Sequence, residues 1–181
     1  MKKSTIISIV VAVFLLVIAG FLYFATNRTE PGTDIKTKAI TLLDDYSIVF
    51  GMTKQAVTDL LGEPDEVNTS PKYGYLDSIT YKDIVLYGNT AKVTLSFDCL
   101  QKDQLTQIQI LLCVNDADEA ELLCKIIEDD LISKLRLMNL PVSQREIPGG
   151  TSFCTELATY YFDPNVSYGT EQYVDISISK N

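Results

Sequence analysis

The stretch AKVTLSFDCLQKDQLTQIQILLCV, Ala91 to Val114, decides the fold, because apolar and polar residues alternate through both of its halves. A period of two is the mark of a strand that buries one face and wets the other. In the first half Val93, Leu95 and Phe97 fall on one side and Thr94, Ser96 and Asp98 on the other. In the second, Ile108, Ile110, Leu112 and Val114 point inward, leaving Gln107, Gln109 and Cys113 outward. The polar interval Asp98 to Asp103 lets the chain reverse, so the two halves pair antiparallel. A third alternating segment, Ser78 to Tyr87, precedes them across Gly88-Asn89 and completes a meander.

Helix signals flank the meander on both sides. Before it, GMTKQAVTDLLGEP (Gly51 to Pro64) sets Thr53 as an N-cap and Val57, Leu60 and Leu61 as an apolar stripe. Gly62 suits the left-handed position after the last turn, and Pro64 blocks continuation. After it, Asp116 and Glu119 have the spacing of a capping box. The helix they start runs to about Leu137, with Ala120, Leu123, Cys124, Ile127, Leu131, Leu135 and Met138 facing inward, and Pro141 stops it. Two further strands are expected around Phe153 to Phe162 and Gln172 to Ser179, the second alternating Val174, Ile176 and Ile178 against Tyr173, Asp175 and Ser177. The order helix, breaker, strands occurs from Thr53 and again from Asp116, a hint of duplication.

From Ser4 to Ala25 no residue is charged, and a run of this length crosses roughly 30 Å of hydrocarbon as one helix. Lys2 and Lys3 precede it and Arg28 follows, which favours a cytoplasmic N-terminus and an extracellular remainder, single-pass in the cell membrane. The competing reading is a cleaved signal peptide, with Val17 and Ala19 as the small residues before the cut. A lipid anchor lacks its thiol, since the first cysteine is Cys99. The chain thus divides into an anchor over residues 1–26 (span about 4–25), a linker and short helix over 27–50, and an extracytoplasmic domain over 51–181. The expected class is α+β: an N-terminal transmembrane helix, then an antiparallel sheet of about five strands with helices packed on one face.

Composition narrows the function classes. Of 15 Lys and Arg, all but Lys2 and Lys3 follow the apolar run, so 13 face 24 Asp and Glu there, a net charge of -11. Such a domain repels nucleic acid and anionic lipid and favours cations or a basic protein partner. There is no histidine, which removes Ser-His-Asp and Cys-His machinery and His-containing zinc sites. Cys99, Cys113, Cys124 and Cys154 form no Cys-x-x-Cys knuckle, so neither metal nor cofactor is implied; two disulfides, one, or four reduced thiols stay open. Adjacent carboxylates such as Asp129-Asp130 diverge on a helix and do not converge on one substrate atom. Asp163, Asn165 and Ser167 have calcium-loop spacing, but Tyr168 stands where the turn needs glycine. Gly149-Gly150 lacks the Lys and Ser/Thr of a phosphate cradle.

In Gly51, Met52, Thr53, Val57, Leu61, Gly62 and Pro64 the chain resembles the SmpA/OmlA (BamE-like) family of envelope proteins. The resemblance implies two short helices against a three-stranded antiparallel sheet, and non-catalytic binding; β-lactamase inhibitor proteins are built from similar repeats. The strand pattern that follows, from ITYKDIVLYG through KVTLSFD and LTQIQI to a long acidic helix, looks like extracytoplasmic proteins of unknown function in Gram-positive bacteria. The family's lipid-accepting cysteine is missing here.

The remaining candidate is a surface. Thr94, Ser96, Gln107, Gln109, Tyr173 and Asp175 lie on the wet side of the expected sheet, and Tyr with Ser, Thr and Gln on a rigid scaffold makes good contact area at low entropic cost. The expected function is a non-catalytic protein-binding or scaffolding module of the cell envelope, with that face as the partner site. The alternatives are an inhibitor of an envelope hydrolase, and an enzyme pairing carboxylates from separate elements, for instance Asp98 with Asp175.

Overall fold

The alternation around Ala91–Val114 becomes a hairpin on the inner side of one half of a wide sheet, next to its centre. The computed structural model describes residues 39–69, 76–101 and 103–181, all within one unit, Lys36–Asn181. Its strands are β1 (Glu66–Asn68), β2 (Leu76–Leu86), β3 (Asn89–Asp98), β4 (Gln104–Val114), β5 (Ser143–Ile147), β6 (Gly150–Cys154), β7 (Ala158–Tyr168) and β8 (Glu171–Lys180). Two helices accompany them, α1 (Lys54–Leu61) and α2 (Ala117–Leu137). The eight strands form one sheet in the order β1-β2-β3-β4-β8-β7-β6-β5, antiparallel at every step. Each half is a four-strand meander entered from a helix, and the last strands of the two meanders, β4 and β8, pair at the centre.

The local signals act as physical chemistry requires. Thr53 caps α1 by accepting from the Ala56 amide at 3.3 Å, and Gly62 follows at φ 83° and ψ -168°, a positive-φ conformation outside the left-handed helical one expected. Of the expected stripe on α1 only Val57 is fully buried; Leu60 is 51% exposed. Asp116 caps α2 by accepting from the Glu119 amide at 2.8 Å, while the Glu119 carboxylate reaches back to the Asn115 amide at 2.8 Å. Its stripe Ala120, Leu123, Cys124, Ile127, Leu131 and Leu135 is buried, and the helix lies against β7, β8 and β4. There it meets the inward rows Ile108, Ile110 and Leu112 of β4, Val174, Ile176 and Ile178 of β8, and Tyr160 and Phe162 of β7.

Among the described residues, the fold expected as a transmembrane helix and about five strands is corrected to an eight-stranded sheet with two helices. Among the described residues no helix is long and apolar enough to cross a membrane, and the span expected over residues 4–25 lies outside them. Three strands account for the difference. β1 has three residues, too few to show a period. In β5 all five residues, SQREI, are exposed, so no apolar alternation exists to read. The segment read as one strand from Phe153 to Phe162 is two, β6 and β7, reversed at Thr155. The Thr155 hydroxyl accepts from the amides of Leu157 and Ala158, at 3.2 and 3.0 Å, and so closes the turn without glycine or proline.

The segment before α1 belongs to the core. Ile40, Leu42, Leu43 and Ile48 are buried, and the Ile40 amide donates to the phenol oxygen of fully buried Tyr160 at 3.1 Å. Thr41, also fully buried, donates to the Ile48 carbonyl at 2.7 Å and accepts from the Leu43 amide at 3.2 Å. Leu42 and Ser47 both stand at φ 59°, so over residues 39–50, where part of a short helix was expected, the chain is irregular apart from a single 3-10 turn at Asp44–Tyr46; the part of that helix expected before residue 39 lies outside the described residues.

Candidate functional site

The strand registers assemble the outward residues into rows that cross the sheet. One row runs Glu66, Thr80, Thr94, Gln109, Ser177, Tyr161, Ser152, Arg145, from β1 at one edge to β5 at the other. The next runs Asn68, Ser78, Ser96, Gln107, Ser179, Thr159, Cys154, Ser143. No aliphatic side chain interrupts either row. All six residues singled out from the sequence, Thr94, Ser96, Gln107, Gln109, Tyr173 and Asp175, therefore stand on one face. Gln109 and Asp175 touch, the amide Nε2 donating to Oδ2 at 2.9 Å, and Thr94 shares a hydroxyl hydrogen bond with Thr80 at 3.1 Å. Tyr173 stands further along β8, opposite Cys113.

Asp98 and Asp175 are not brought together. Asp98 pairs with Gln104 and Asp175 with Leu111, seven residues further along β4. At about 3.3 Å per residue that is roughly 20 Å, beyond the reach of carboxylates acting on one atom. The calcium-like spacing at Asp163, Asn165 and Ser167 is an irregularity in the β7–β8 pairing between Asp163 and Val166, and Gly149 belongs to the tight β5–β6 turn. All four thiols are free.

Charge is unevenly spread over the face. On the β1–β3 side Glu66 is held by Lys82 at 2.8 Å and Lys92 at 3.7 Å, and these ammonium groups lower its carboxyl pKa, Lys82 most. On the β7–β8 side Asp163 and Asp175 pair directly across the strands. Burial raises the Asp175 pKa; the bonds from Gln109 and Ser177 offset part of that, and Asp163 adds repulsion. Tyr161 donates to Asp163 at 3.3 Å. Tyr173 donates to Glu171, and that bond, then burial, lifts its phenol to about 12. Tyr168 meets Tyr173 edge to face, with ring centroids 5.7 Å apart.

Tyr161, Asp163 and Tyr168 escape a sequence reading of the face. In Thr159-Tyr160-Tyr161-Phe162 both phases contain a tyrosine, so alternation cannot say which ring is buried. The pairing irregularity then resets the phase before Tyr168. Comparison with protein-family models, with curated proteins and with solved structures finds no match to this chain.

Proposed function

We propose that the domain is a non-catalytic binding module that engages a protein partner through the polar face of its eight-stranded sheet. The observation that carries this reading is the pair of rows free of aliphatic side chains, Ser, Thr, Gln and Tyr across β2, β3, β4, β8 and β7 and bounded by Glu66 and Arg145 at the edges of one of them, opposite a face filled by apolar side chains. Folding alone does not require such breadth of uncharged hydrogen-bonding side chains, since a merely solvated sheet is served as well by lysine and glutamate. Hydroxyls and amides on rigid strands offer donors and acceptors at small entropic cost, and the tyrosines add contact area.

A photo-crosslinking residue placed at Thr94 or Gln109, and separately at Lys125 on the exposed side of α2, tests the reading in living cells. The expected result is one protein adduct formed from both sheet positions and absent from Lys125. Equal labelling from all three, or adducts from Lys125 alone, would refute it.

A second reading, inhibition of an envelope hydrolase, draws on the doubled order of helix and four-strand meander. Each half carries one helix and four strands, against the two short helices and three strands that the resemblance implies, so the duplication alone speaks for it. The domain would then slow a hydrolase in a panel of envelope enzymes, with the inhibition removed by Gln109→Arg.

A further inference from the structure

The binding reading names a face but no partner chemistry, and the uneven charge on that face supplies one. Resting on that reading, we infer that the occupant is a protein segment presenting an arginine or lysine, whose cationic head docks on the β7–β8 half of the sheet between the tyrosines and carboxylates. The two halves of the face differ in kind. At β1–β3 the acid Glu66 already has two lysines within 3.7 Å, so a visiting cation finds its place taken. At β7–β8 the outward side chains include Asp163, Asp175 and Glu171, the first two paired face to face. Strands β4 and β7 contain no Lys or Arg, and β8 only Lys180 at its end, opposite Ala158 and so on the other side of the sheet from Asp175. The partners these carboxylates do have, Gln109, Ser177, Tyr161, Tyr173 and the Asn165 amide, are neutral donors that orient the oxygens and leave their charge uncompensated.

Aromatic geometry points the same way. Two of these carboxylates have a tyrosine against them: Tyr161 donates to Asp163, and Tyr173, edge to face with the 57% exposed Tyr168, donates to Glu171. A ring face beside a carboxylate suits a planar guanidinium, which stacks on the one while donating to the other. An anionic or purely apolar partner would have to desolvate the carboxylates with nothing in exchange, at a cost that excludes it from this half.

The test pans random displayed peptides against the full chain and re-measures each recovered peptide on two variants. Asp163→Asn/Asp175→Asn removes charge at nearly constant shape, and Gln109→Arg obstructs the face as a whole. Protection of Cys124 from alkylation reports that each variant is folded. The expected peptides are enriched in Arg and Lys, lose about tenfold or more in affinity on the double Asn variant, and weaken as salt rises. Peptides blocked by Gln109→Arg but neither enriched in bases nor weakened by the Asn pair would overturn the cationic occupant while sparing the binding reading. Peptides indifferent to both variants would overturn the two together.

Discussion

Gly150 shows how one atom limits this fold. A Cβ built there would stand 1.7 Å from the Phe162 carbonyl oxygen, so any side chain forces β6 away from β7. Gly150→Ala should cost about 3 kcal/mol in urea unfolding. Gly88 meets nothing within 4 Å and needs only its positive φ, so Gly88→Ala should cost about 1 kcal/mol in the same assay. Asp175 makes a prediction of opposite sign. Burial holds its pKa above the ordinary 3.8, so the folded state binds the proton more tightly than the unfolded chain. Stability contributed by the protonated form is present in acid and lost as pH rises from that ordinary value through the raised one. Asp175→Asn should therefore flatten the pH profile of the urea midpoint across the carboxylate range and leave the variant at least as stable as the parent at pH 7. A midpoint lowered equally at pH 4 and pH 7 would show that the carboxylate serves only as a hydrogen-bond acceptor.

The two helices and the long strands are legible where a period repeats often enough to override local propensity. α2 shows its cap, its stripe and its stop in 21 residues, and β3, β4 and β8 have ten or more each. β1 and β5 are edge strands with one neighbour each, so they bury little and carry no apolar phase; their charged residues suit edges that must not pair further. Burial along α2 implies a graded response. Asp116→Ala removes the cap and should cost about 1 kcal/mol, whereas Leu131→Ala empties a fully buried site in the same helix and should cost about 2–5 kcal/mol. Calorimetry on both variants checks the order, and equal losses would mean that the end of the helix is as deeply committed as its middle. The wet face was half legible for the same reason as the strands: Thr94, Ser96, Gln107 and Gln109 sit in clean alternation, while Tyr161 and Tyr168 sit where the phase is ambiguous or reset.

At the scale of the molecule the four free thiols serve as reporters of cooperative unfolding. Cys99 and Cys113 are exposed, whereas Cys124 is buried on α2, where burial and then the nearby Glu128 push its thiol up to about 12. A maleimide pulse on the native protein should label Cys99 and Cys113 within minutes and spare Cys124 until the sheet and helix separate. Labelling of Cys124 at the rate of Cys99 would mean that α2 leaves the sheet without global unfolding. The sequence by itself determined the period-two hairpin, the capped helices, the phase of β3, β4 and β8 and the acidic excess, because these depend on neighbours a few residues apart. Only the tertiary structure decided that β4 and β8 meet at the centre, that Ile40, Thr41, Leu42, Leu43 and Ile48 lie within the core, and that Asp163 faces Asp175. Those outcomes rest on pairings between residues far apart in the chain, which burial of the shared apolar face selects and no local pattern records.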